Sequence, residues 1–326
     1  MEVLRVNCLL PTRLDKYLMQ QYPVLTPGRL NKALRENKIK LNGKKQPLST
    51  RVQAGDEIKL FLLPDQLNAA PPAEGPAFLQ AKYPAKVVYE NDQLLIADKP
   101  AGLPVNDEND PDTLIHRVQL YLYKKGEYRP GEGFAPALCH RLDTGTSGLV
   151  LVAKTAQALA DLTELIRARR LKKEYLCVTF GRPEPPAATL SGWLKKDAAK
   201  GRVTVVDHPA ADAVPIETRY ETMAVSGRLA LLRVELITGR THQIRAHLAS
   251  IGCPILGDGK YGQNAVNRQL HFKYQALCAW RLTFPADCPP SLTSVNGKCF
   301  TLEKPWYCRQ LLDGELKSKP PAKPVV

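Results

Sequence analysis

Apolar and polar positions follow two rhythms along this chain, one helical and one extended, and their order divides it. Near the N-terminus, Arg13-Leu14-Asp15-Lys16-Tyr17-Leu18 opens an amphipathic helix with Leu14, Tyr17 and Leu18 on one face. Thr26-Pro27 predicts the start of a second helix, a capping hydroxyl followed by proline at the first helical position. There Leu30, Ala33 and Leu34 face inward, while Arg29, Lys32 and Arg35 recur three apart on the other side. Asn42-Gly43 after Ile39-Lys40-Leu41 predicts a tight hairpin turn. The alternating segment from Glu57 to Leu62 predicts a closing strand. Residues 12–62 therefore read as a small separate α/β domain. Residues 63–85, with Pro64, Pro71, Pro72, Pro76 and Pro84 among alanines, read as a linker.

From residue 86 the extended rhythm dominates. Val87-Val88-Tyr89 and Leu94-Leu95-Ile96-Ala97 predict strands flanking an Asn91-Asp92 turn. Thr155 can cap a helix running to about Arg169, with Leu159, Leu162, Leu165 and Ile166 as its core stripe. Strands are expected from Glu174 to Phe180 and from Leu229 to Thr238, and a short helix from Thr241 to Ile251, stopped by Gly252 and Pro254. Strands and helices without regular βαβ alternation predict an α+β domain with a mainly antiparallel mixed sheet over 86–312, followed by a flexible tail at 313–326.

Composition changes this picture mainly through charge. The chain has 326 residues, 44% hydrophobic and 24% charged, ordinary for a globular protein, but 46 Lys and Arg against 32 Asp and Glu give a net charge of +14. Residues 13–59 hold eleven Lys and Arg against four Asp and Glu, so half of the excess sits in the N-terminal module. A basic, helix-borne stripe of Arg29, Lys32 and Arg35 suits phosphate contacts that position a polyanion without reading its sequence. The eight cysteines form no Cys-x-x-Cys pair and have no histidine at ligand spacing, so neither a metal site nor a disulfide framework is expected. Scattered thiols and the lack of a long apolar N-terminal run or a membrane-length segment point to the cytoplasm.

The candidate chemistry concentrates in His140 to Lys154, HRLDTGTSGLVLVAK. Asp143 stands in a polar loop with Arg141, and a β-prone apolar run follows directly, which mounts a reactive side chain at the edge of a rigid strand. An isolated aspartate beside a buried strand is ordinarily a turn residue; the company of His140, Arg141, Thr146 and Ser147 moves the reading toward a site.

This segment resembles the catalytic motif of the RluA-type pseudouridine synthases. So do Asp98-Lys99-Pro100-Ala101-Gly102-Leu103, Lys173-Glu174-Tyr175-Leu176, and Gly239-Arg240-Thr241-His242-Gln243-Ile244-Arg245 with Gly252 to Asp258 behind it. The N-terminal module resembles the αL RNA-binding domain shared with a ribosomal small-subunit protein. The resemblance implies isomerisation of uridine to pseudouridine in structured RNA, ribosomal large-subunit RNA first and transfer RNA second, by a monomer without a cofactor. It implies Asp143 as the essential group, attacking the anomeric carbon, attacking carbon six of the base, or removing a sugar proton. It also implies Arg245 as the partner that fixes the carboxylate's direction, and Tyr175 as an aromatic platform and proton carrier. Arg141 would fill the gap left by a flipped base, grip a neighbouring phosphate, or brace the loop. His140, Thr146, Arg240, His242 and Gln243 would contact RNA or order the loops. Lys99-Pro100 and Gly102 would shape the cleft wall.

Two other readings fit parts of the pattern. A non-enzymatic RNA-binding or ribosome-assembly factor would use the basic module but has no need of Asp143, Tyr175 and Arg245 together. A hydrolytic glycosidase would need paired carboxylates, and the motif loop offers one.

Overall fold

The computed structural model describes residues 2–8, 11–22, 24–63, 67, 75–107, 110–197 and 201–316. Of the expected linker, residues 64–66 and 68–74 lie outside the described residues, as do 317–326 of the expected tail. The chain divides into two compact units, Met1–Leu79 with Asp107–Pro111, and Gln80–Asn106 with Asp112–Val326.

In the N-terminal unit, strands β1 (Glu2–Arg5), β2 (Thr12–Arg13), β3 (Ile39–Leu41), β4 (Arg51–Val52) and β5 (Glu57–Leu60) accompany helices α1 (Leu14–Gln21) and α2 (Pro27–Arg35). Leu14, Tyr17, Leu18, Leu30 and Ala33 enter one core with Ile39, Val52, Ile58 and Leu60. The Thr26 hydroxyl accepts from Arg29 N at 3.5 Å, capping α2 as its sequence predicts. Two expectations change. The Asn42-Gly43 turn forms with positive φ at both residues, but beyond it only Lys44 bridges back to Leu41. The partner of β3 is instead β5, with Ile39 opposite Leu60. The unit also starts before residue 12, because β1 completes the sheet in the order β1-β5-β3.

The larger unit is an α+β fold. Its strands are β6 (Val87–Glu90), β7 (Leu94–Lys99), β8 (Ala137–Leu138), β9 (Ser147–Ala153), β10 (Lys172–Phe180), β11 (Ala187–Asp197), β12 (Arg202–Val206), β13 (Ala213–Ser226), β14 (Leu229–Leu236), β15 (Leu277–Thr283) and β16 (Cys299–Thr301). Its helices are α3 (Leu114–Lys125), α4 (Ala156–Arg167), α5 (Gln243–Ser250), α6 (Asn264–Gln269) and α7 (Trp306–Leu312). The 11-stranded sheet runs β12-β11-β13-β14-β10-β15-β9-β7-β6, with β16 on β15 and β8 on β9. The pairs are antiparallel except β9 with β15, which is parallel.

That parallel seam positions the site. Gly148 pairs with Ala279, and Ala279 pairs with Tyr175 on β10, so the strand following the Asp143 loop lies two strands from the tyrosine. Gly148 has φ +115°, and a Cβ there would sit 2.3 Å from the Ala279 carbonyl oxygen, so only glycine allows the approach. At Glu174/Tyr175 the register against β15 slips, a bulge of the kind that re-aims a side chain.

Among the described residues no helix is long and apolar enough to cross a membrane. All eight cysteines are free thiols.

Candidate active site

Asp143 occupies the loop between β8 and β9, and its position is fixed from both sides. Its backbone carbonyl accepts from Thr146 N at 2.9 Å. The neighbouring Thr144 carbonyl accepts from Gly102 N at 2.7 Å and from Lys99 Nζ at 3.0 Å. The Lys99 ammonium, 0% exposed, also donates to the carbonyls of Leu103 at 2.6 Å and Pro100 at 3.0 Å. Burial pulls its pKa down to about 8 against the opposing pull of the Asp143 charge. On the other side, Gln275 Nε2 donates to the buried Thr146 hydroxyl at 3.0 Å. Lys99 thus does more than line a wall: it ties the first motif to the loop of the second.

The Asp143 carboxylate meets Arg245. Arg245 Nη1 donates to Asp143 Oδ2 at 2.6 Å, while Nε and Nη2 donate to the two oxygens of Asp258 at 2.7 and 2.9 Å. Asp258 is fully buried and also accepts from Lys260 N and Tyr261 N through Oδ1 at 2.8 and 3.0 Å. Two carboxylates hold the guanidinium's pKa above its usual range despite burial. Among the described residues Asp143 Oδ1 has no hydrogen-bond partner, so one oxygen is held and the other remains available.

Arg245 enters from the first turn of α5. That helix begins at Gln243, later than the expected Thr241, because His242 adopts a left-handed conformation with φ 58°. The kink places His242 Nε2 3.9 Å from Asp143 Oδ2. It also places Nδ1 3.0 Å from the Tyr261 hydroxyl.

Tyr175 is 5% exposed and lines the same cavity as Asp143 and Arg245. Both faces of its strand are buried, Cys177 and Thr179 as well as Leu176, Val178 and Phe180. Burial, with the Asp143 charge, raises the phenol's pKa, so the hydroxyl stays neutral and can donate.

The cavity measures about 540 Å³, within the range of roughly 300–1,000 Å³ typical of small-molecule sites. Exposed Arg141, Arg167, Arg169, Lys172 and Arg240 line it, against Asp143 and Glu235 as its carboxylates. A positive wall around one available carboxylate suits a polyanionic substrate. Glu235 lies 3.4 Å from Arg219 and 3.7 Å from Lys172, so a free second carboxylate is not on hand.

Other expected contacts turn inward. His140 Nε2 accepts from Leu151 N at 3.1 Å, and burial pulls its pKa to about 3. Gln243 accepts from the Thr238 hydroxyl and Arg240 N, and donates to the Glu217 carbonyl and the Thr218 hydroxyl. His140, Thr146 and Gln243 therefore order loops, whereas Arg141 and Arg240 are exposed at the cavity. Asp258, Tyr261 and Gln275 have no role legible in sequence; Asp258 closes the segment behind the third motif, but nothing local signals its pairing with Arg245 thirteen residues away.

The chain is similar to known proteins over most of its length. A family model described as RNA pseudouridylate synthase matches residues 93–250. A protein of Rickettsia felis named ribosomal large subunit pseudouridine synthase C is 32% identical over 277 residues, covering 81% of this chain and 86% of that one. An uncharacterized RNA pseudouridine synthase of Chlorobaculum parvum is 34% identical over 266 residues, covering 80% and 78%. Of solved structures, Human RNA Pseudouridylate Synthase Domain Containing 4 superposes with a TM-score of 0.56 at 23% identity over 71% of this chain and 92% of that one, a likeness of fold. The chain belongs to the RluA-type RNA pseudouridine synthases.

Proposed function

We propose that this enzyme isomerises specific uridines in ribosomal large-subunit RNA, with Asp143 as the group that acts on a flipped nucleotide. The observation that carries this reading is the half-held carboxylate: Arg245 fixes Oδ2 at 2.6 Å, and Oδ1 keeps its lone pairs inside a cavity that also holds Tyr175. A carboxylate so held can form a bond to carbon or take a proton, and the cavity walls leave the choice among these routes to the substrate. The neutral Tyr175 ring offers a stacking surface and its hydroxyl a donor. Extruding a base from folded RNA costs stacking and pairing energy, which the exposed arginines of the cavity offset by gripping phosphates. Ribosomal RNA is favoured over transfer RNA by the name of the Rickettsia felis relative.

Within this reading, residues 12–62 bind RNA through Arg29, Lys32 and Arg35, all exposed on α2, and 86–312 carry the chemistry. The protein acts as a monomer in the cytoplasm, a compartment that suits its free thiols.

The test is Asp143→Asn with pseudouridine mapping in total RNA. Product should vanish while RNA affinity persists, and the lost sites should lie in large-subunit RNA. Retained product would remove Asp143 from the chemistry, sites confined to transfer RNA would replace the substrate, and release of free uracil would indicate hydrolysis.

A further inference from the structure

The cavity contains a second polar group whose state the surrounding contacts determine. The Tyr261 oxygen accepts the backbone N–H of Val203 at 2.9 Å, and the only other partner of that hydroxyl among the described residues is His242 Nδ1 at 3.0 Å. A backbone amide can only donate, and among the described residues Nδ1 is the one acceptor within reach of the phenolic proton, so the pairing that uses every group has Nδ1 presenting its lone pair. The remaining proton of a neutral imidazole then sits on Nε2, the nitrogen 3.9 Å from Asp143 Oδ2. We infer that Tyr261 locks His242 as the neutral Nε2–H tautomer, making it a hydrogen-bond donor to an acceptor oxygen of the bound nucleotide beside Asp143. This inference rests on the reading of the cavity as the uridine site.

The surroundings agree. His242 faces Asp143 from the loop before β9, Arg245 from α5, and Asp258 and Lys260 from the following turn. Burial leads in lowering its pKa, helped by Arg245 and Lys260, against the pull of Asp143 and Asp258. Protonation would put a proton on Nδ1 and take from the Tyr261 hydroxyl its one acceptor among the described residues. The phenol itself is held in place, since the Arg245 guanidinium lies 5.3 Å from its ring centre and that of Arg202 on β12 lies 5.8 Å away. His242 is a positioning group for substrate, distinct from the carboxylate that acts on it.

Nitrogen-15 NMR of histidine-labelled full-length protein at neutral pH, with His242→Gln to assign the resonances, reads the tautomer without any turnover. The expected result is an unprotonated Nδ1 and a protonated Nε2, shifting toward a tautomer mixture and a higher pKa in Tyr261→Phe. An Nδ1–H tautomer or an imidazolium in the wild type would overturn the inference. In kinetics, His242→Ala should lower kcat on the order of 10²-fold, and His242→Gln, which keeps an N–H donor, should recover at least part of it. Equal loss in both variants would also overturn it. Because the tautomer is read in the resting protein, its failure is distinguishable from failure of Asp143 in the chemistry.

Discussion

Asp258 grips Arg245 through both carboxylate oxygens, at 2.7 and 2.9 Å, and that grip decides where the third nitrogen of the guanidinium meets Asp143. The same carboxylate accepts the backbone N–H groups of Lys260 and Tyr261, so it also shapes the turn that presents Tyr261 to His242. A single fully buried group therefore sets the direction of two others in the cavity.

Asp258→Asn tests this. The amide keeps one acceptor but cannot match the fork of the guanidinium, so Arg245 is released to drift toward Asp143. Displacing reacting groups by about 1 Å can cost on the order of 10²-fold, and kcat should fall by that order with KM changing less. Breaking a buried ion pair on one side should also remove about 3 kcal/mol of stability. Steady-state kinetics on an RNA fragment and urea unfolding check the two parts; unchanged kcat would show that Asp258 is scaffolding only.

Much of the fold and of the site is written in short stretches of sequence, and the remainder depends on long-range pairing. The loop around Asp143, the stripe on α2 and the Thr26 and Thr155 caps are local features, and each appears where its own neighbours direct it. The role of Tyr175 comes from the family resemblance and not from its own strand; the bulge against β15 that accompanies it is a property of two strands together. The Asn42-Gly43 turn is legible, but which strand β3 pairs with depends on the closing of the whole N-terminal sheet. Lys99 reads in sequence only as cleft wall, and Asp258 and Tyr261 carry no legible role, because each acts through a partner brought near only by folding.

Lys99→Met removes the donor that satisfies the carbonyls of Pro100, Leu103 and Thr144. The Thr144 carbonyl keeps Gly102 N, and leaving each of the other two buried acceptors unsatisfied should cost about 1–3 kcal/mol. The pH dependence has a definite sign. The folded pKa, about 8, lies below the ordinary value of 10.5, so between these limits the unfolded chain binds more protons. The contribution of Lys99 to stability therefore rises with pH across that window. Urea unfolding at pH 8 and pH 10 should show the gap between wild type and Lys99→Met widening at the higher pH; a constant or narrowing gap would contradict the placement of this ammonium.

His247 supplies the acid counterpart. It is 2% exposed, with Nδ1 3.0 Å from the Thr218 hydroxyl, and burial pulls its pKa to about 4. Between about 6.5 and 4 the unfolded chain takes up a proton that the folded chain refuses, so stability falls as the pH drops through this range. At pH 5 the loss from this residue should be about 2 kcal/mol relative to pH 7. His247→Gln should flatten the dependence by that amount in urea titrations at the two pH values, and an unchanged slope would mean that the imidazole is reached by water.

The basic stripe of α2 makes a prediction of a different kind, about binding and not chemistry. Arg29, Lys32 and Arg35 are exposed, although Arg29 also donates to the Val24 carbonyl at 3.2 Å. Contacts to phosphate release counterions, so each one steepens the fall of affinity with salt by about 0.7–0.9 in the log–log slope. Replacing all three by Gln should weaken RNA binding at low salt and reduce the slope by about 2–3. Because phosphate contacts carry no sequence information, affinity for unrelated RNA should fall by a similar factor, and kcat at saturating RNA should hold. Filter binding over a salt series separates the outcomes. An unchanged slope would place the RNA elsewhere on the protein, and a selective loss for the modified fragment would mean that the stripe reads sequence or shape.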